Sequence, residues 1–84
     1  MKLSIDQAEG LVRVRRMAAN GDLRRLFREA RLSNQEIGLA VDASPVTVHG
    51  WLHGHHKPTG RRAVVLVELV RRLQAATDGE RPVA

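Results

Sequence analysis

The chain of 84 residues has no cysteine, no tyrosine, one phenylalanine, one tryptophan and three prolines. Without cysteine, neither a disulfide framework nor a thiolate metal site can supplement a small core. No apolar stretch approaches the roughly 18 residues of a membrane span. The longest, Ala63-Val64-Val65-Leu66-Val67, is interrupted by Glu68. Met1 to Asp6 lacks the apolar core of a signal peptide, so a cytoplasmic, nucleoid-associated location is expected. No segment alternates with period two, which argues against a sheet. No nucleophile–base set, pair of catalytic carboxylates or phosphate-cradling glycine loop is present, so neither an enzyme nor a cofactor is expected.

What the chain does have is arginine. Fourteen basic residues, twelve of them arginine, face nine acidic ones for a formal charge of +5. Such a balance attracts polyanions by long-range forces, and the length suits one compact domain.

Capping signals divide the chain into five helical stretches, so the expected class is all-α. Ser4-Ile5-Asp6-Gln7 has the form of a capping box, predicting a helix from about Ile5 to Ala19. Asn20-Gly21 suits a stop, and Asp22 can cap a second helix with Leu23, Leu26, Phe27 and Ala30 on one face. Ser33-Asn34-Gln35-Glu36 is a second capping box, opening a short helix with Ile37, Ala40 and Val41 at helical spacing. Ser44-Pro45 reads as an N-cap followed by proline at the first helical position. Val48, Trp51 and Leu52 line the inner face of this fourth helix, and Gly54 ends it. A last helix starts at Thr59 or Gly60 and runs to about Ala76. Its apolar stripe, Ala63, Leu66, Val67, Val70 and Leu73, is widened by Val64, Val65 and Leu69 beyond the needs of one contact, which suits either pure core packing or a partner helix.

The third and fourth helices are separated by so few residues that their corner must be tight. Gly38 sits where a small side chain permits close approach, and Asp42 must take a positive φ. Ile37, Val41, Ala43, Val48 and Trp51 can close beneath the corner. Pro45, Val46, His49, Gly50 and His53 are then left facing outward, as on a helix placed in the major groove.

The segment from Leu32 to Gly54, with its Ser44, Thr47, Val48, Trp51 and Gly54 spacing, resembles the helix-turn-helix of the Cro/C1-type (Xre-like) repressors. Lys57-Pro58-Thr59 is similar to that family's step into its next helix, and Leu26 to Ser33 to its first helix. The likeness covers about Asp22 to Leu73. It differs from the usual pattern at Asn34, at Asp42 in place of the turn glycine, and at the outward positions of the fourth helix. It implies a five-helix, lambda-repressor-like bundle: residues 22–76 form the DNA-binding domain, 1–21 an extra helix, and 77–84 a flexible tail. It also implies an operator-binding transcriptional regulator, a repressor acting as a homodimer on an inverted repeat of double-stranded DNA.

Chemistry suggests roles within that frame. The free amides after Ser33, with Asn34 or Gln35, can hold a phosphate, as can Thr47 beside the cap Ser44. His49 and His53 are four apart and can reach base edges, with Gly50 between them on the outward face. Pro45 and Val46 offer apolar contact to a thymine methyl. His55, His56, Lys57, Arg61 and Arg62 make a basic rim for the backbone. Arg13, Arg15, Arg16, Arg24, Arg25 and Arg28 either extend this footprint or are a solvated surface.

The same residues admit other uses. Trp51 as a stacking platform conflicts with its inward spacing. The four histidines lack a cysteine or carboxylate companion, so no metal is expected. The same fold can serve an antitoxin, with a toxin-binding surface on the first helix or tail, or an architectural factor that bends DNA.

Overall fold

A computed structural model describes residues 2–80, with side chains to Ala76. Its helices are α1 (Ile5–Asn20), α2 (Asp22–Glu29), α3 (Asn34–Val41), α4 (Pro45–Leu52) and α5 (Gly60–Glu80), with no strand among the described residues. The all-α expectation is met. No described helix is long and apolar enough to cross a membrane.

The expected caps start three of these helices. The Ser4 hydroxyl accepts from the Gln7 amide at 3.0 Å, while the Gln7 side chain accepts from the Ser4 amide at 2.9 Å. Ser33 and Glu36 repeat the arrangement at 3.1 and 2.9 Å. Those bonds hold the Glu36 carboxyl below its ordinary pKa, the Ser33 backbone amide contributing most. Ser44 accepts from the Thr47 amide at 3.1 Å, and Pro45 opens α4.

Two boundaries differ from expectation. Gly21, at φ 90°, both ends α1 and begins α2, so Asp22 lies inside the helix rather than capping it. The Asn20 side chain accepts from the Asp22 amide instead, at 2.9 Å. At the other end, α5 runs past Ala76 to Glu80 and takes in the start of the expected tail. The rest of that tail, 81–84, lies outside the described residues.

The core gathers one face from every helix. Leu11, Val14 and Ala18 of α1 meet Leu23, Leu26 and Phe27 of α2, Ile37 and Val41 of α3, and Val48, Trp51 and Leu52 of α4. From α5 come Ala63, Leu66, Val67 and Val70. Helix α5 packs against both α1 and α3, so it needs apolar residues over a wide arc. Of the two readings of its surplus stripe, core packing accounts for most of it. Leu69 and Leu73 pack on the core, Val64 is half-buried, and only Val65, at 39% exposure, faces outward.

Trp51 is 3% exposed, in the register that the spacing required. Truncating a buried aromatic removes its transfer energy and leaves a cavity. Trp51→Ala should therefore lower unfolding free energy by about 3–5 kcal/mol, measured by urea denaturation followed by circular dichroism. An unchanged midpoint would contradict this packing.

Candidate nucleic-acid interface

Three residues, Asp42 to Ser44, turn the chain from α3 into α4. Gly38 is buried, and a Cβ there would collide with the backbone carbonyl oxygen of Ala43. The Ala43 amide donates to the Gly38 carbonyl at 2.9 Å. Asp42 takes φ 59° and ψ 50°, the left-handed conformation expected of it. Its carbonyl accepts from Arg62 Nε, so α5 grips the turn. Arg62 is thus an anchor of the corner as well as part of the expected rim.

Helix α4 has two distinct faces. Val48, Trp51 and Leu52 are buried, whereas Pro45, Val46, His49 and the helix cap His53 are exposed. Val46 is 78% exposed, an apolar side chain with no place in the core. Gly50 departs from expectation. It is buried, because the His56 imidazole folds over it, and a Cβ at position 50 would overlap that ring. His56 Nε2 lies 3.3 Å from the Thr47 carbonyl oxygen. A carbonyl can only accept, so Nε2 carries the proton in this contact. The outward position assigned to Gly50 therefore belongs to His56.

The hydroxyls of Ser44 and Thr47 are 2.9 Å apart. With Ser44 donating in this pair, Thr47 keeps its own proton for an outside acceptor. Asn34 is half-buried and Gln35 exposed on the first turn of α3, and neither side chain makes a hydrogen bond among the described residues. Lys57 and Arg61 are exposed on either side of buried Pro58.

His49, His53 and His55 form a cluster. The His49 and His53 rings have centroids 4.1 Å apart and planes inclined by 31°, and each lies about 6 Å from His55, at 6.0 and 6.1 Å. No group of three or more histidine, aspartate or glutamate side chains among the described residues is arranged to hold a metal ion. Arg24 of α2 approaches the cluster, its Nη1 3.5 Å from His53 Nδ1. Desolvation pushes the His53 pKa below its ordinary value, and repulsion from His49, Arg24 and His55 adds to the effect.

Two arginines acquire roles that helical spacing does not reveal. Arg24 joins α2 to the histidine cluster across 29 positions. Arg15 Nε donates to the Pro58 carbonyl at 3.1 Å across 43 positions, tying α1 to the loop before α5. Composition marked both only as members of an arginine-rich surface.

Compared with family models, characterised proteins and solved structures, the chain matches none.

The two close glycines should answer differently to alanine. At Gly38 the obstacle is backbone, so Gly38→Ala should destabilise by about 1–3 kcal/mol despite alanine's better helix propensity. At Gly50 the obstacle is an exposed imidazole that can swing away. Loss of its weak hydrogen bond is offset by propensity, so Gly50→Ala should change stability by less than about 1 kcal/mol while shifting the His56 ring resonances. Equal stability losses at the two sites would contradict this assignment.

Proposed function

We propose that this protein is a sequence-specific double-stranded-DNA-binding regulator of transcription, similar to the Cro/C1-type repressors, with α4 as its recognition helix. The observation that carries this is the division of α4. Its inner face closes the core, and its outer face leaves Pro45 and Val46 exposed without a hydrogen-bond or ring partner among the described residues, and His49 exposed beside only His53 and His55. An exposed valine beside the first-turn proline has no benefit in water, but it suits a thymine methyl in the major groove. His49 and His53 carry ring nitrogens suited to the base edges.

The surroundings fit the backbone. The first-turn amides of α3, Thr47, Lys57, Arg61 and the histidines supply donors and positive charge for phosphates. The formal charge of +5 favours encounter with DNA over repulsion. One eight-residue helix reads few bases, so useful selectivity calls for two copies on an inverted repeat, with half-sites about 34 Å apart. The protein acts by binding, with no catalytic role. Selection from a random duplex pool tests this. The expected product is a symmetric site that Val46→Asp no longer enriches, because an added carboxylate repels DNA. Recovery of no common sequence by the unaltered protein would contradict the proposal.

The histidine cluster adds a pH signature. In the free protein His53 is held toward its neutral form. A phosphate brought near favours the protonated form, so binding takes up protons and affinity should rise as pH falls from about 8 to 6 at fixed salt. Stability of the free protein should run the other way. Because the folded His53 pKa is depressed, the unfolded chain binds protons first. The contribution is complete above about pH 6.5 and lost as pH falls through the folded value. Titrations of labelled duplex with chelator present, alongside thermal melts of free protein, read both trends. Affinity that is flat or weakens toward acid would show that the cluster does not face phosphates.

A further inference from the structure

The outer face of α1 is not used by the fold. Ile5, Ala8, Val12, Arg16 and Ala19 are all exposed and share one stripe of that helix, with Ile5 at 81% and Val12 at 56%. The stripe borders an open groove of about 890 Å³ between α1 and α2, floored by Met17 and Leu26.

The pattern is its own mirror. The stripe positions are separated by three, four, four and three residues, symmetric about Val12. A second α1 laid antiparallel across a two-fold axis at Val12 sets Val12 against Val12, Ile5 against Ala19 and Ala8 against the aliphatic stem of Arg16. The charges follow the same symmetry. Asp6 and Glu9 occupy the first half of α1, and Arg13, Arg15 and Arg16 the second. In the antiparallel pair Glu9 of each copy falls within one residue rise, about 1.5 Å along the axis, of the level of Arg16 in the other. Neither Glu9 nor Arg16 has an ion-pair partner among the described residues. A parallel pair would instead bring like charges together.

From this self-complementary stripe we infer that α1 is a homodimerisation surface, on which the α1 of a second copy of this chain seats antiparallel. This deepens the dimeric part of the function proposed above, locating the contact on α1 rather than α5. Its test uses no DNA, so the two can fail separately. A helix of 16 residues is about 24 Å long, which gives a contact at the small end of specific interfaces and hence a weak, concentration-dependent dimer.

Sedimentation equilibrium of the full chain, from about 5 μM to 1 mM in a range suited to weak contacts, decides the matter. The unaltered protein should pass from monomer to dimer. Val12→Glu should abolish association while leaving helical content and melting temperature unchanged, since Val12 is outside the core. Glu9→Arg and Arg16→Glu should each weaken the dimer about tenfold, because each replaces two attractions with two repulsions. The doubly swapped chain, carrying both changes, should return to near the original affinity. A monomer at every concentration, as expected if the stripe serves a different protein, would overturn the inference. So would a dimer indifferent to Val12→Glu, or one broken instead by Val65→Glu on α5. Failure of the double swap to restore association would overturn the antiparallel pairing.

Discussion

The close approach of Gly38 to the backbone of Ala43 is the constraint on which the rest of the structure depends. Helices α2, α3 and α4 have eight residues each, too few to persist alone in water. They exist because they pack, and α3 and α4 pack through that corner. With no side chain at position 38, the turn can fold back until the Ala43 amide reaches the Gly38 carbonyl. Asp42 accepts a left-handed backbone to make this possible, at a modest local cost. Arg62 then fixes the turn from α5 by bonding the Asp42 carbonyl. Once the corner is set, Val48 and Trp51 are directed into the core, and Val46 and His49 away from it.

The outward surface shows an opposite balance. Imidazoles of His49, His53 and His55 crowd together beside Arg24, and each added proton would meet like charge. A fold selected for stability alone has no use for such a cluster. An anion supplies what the cluster lacks, a counter-charge that turns repulsion into attraction. On the proposed function that anion is the DNA backbone. The surface is thereby poorly satisfied in the free protein and well satisfied in the complex, as differential binding requires.

Much of this was legible from the residues. Capping boxes at Ser4 and Ser33, and Ser44-Pro45, set three helix starts, because capping is local and its partners lie three residues apart. The burial of Trp51 and the left-handed Asp42 followed from spacing and from the shortness of the turn. The errors have a common origin. Periodicity says which side of a helix a residue occupies but not what stands opposite. Gly50 was placed outward because nothing nearby in sequence predicts that His56 folds over it. Arg24 and Arg15 find partners 29 and 43 positions away, beyond any local signal. The wide apolar face of α5 leaves core and partner readings open in the sequence, because stripe width does not say how many helices of its own chain it meets; α5 packs against two.

The central claim is that α4, with the first turn of α3, meets DNA while the outer face of α1 does not. Amide chemical-shift mapping of the labelled protein with its selected duplex tests it residue by residue. The largest changes should fall on Val46, Thr47, His49, His53, His55 and the first turn of α3, with smaller changes at Ala8 and Val12 from the α1 dimer contact. Changes concentrated on α1, with α4 unmoved, would contradict the claim.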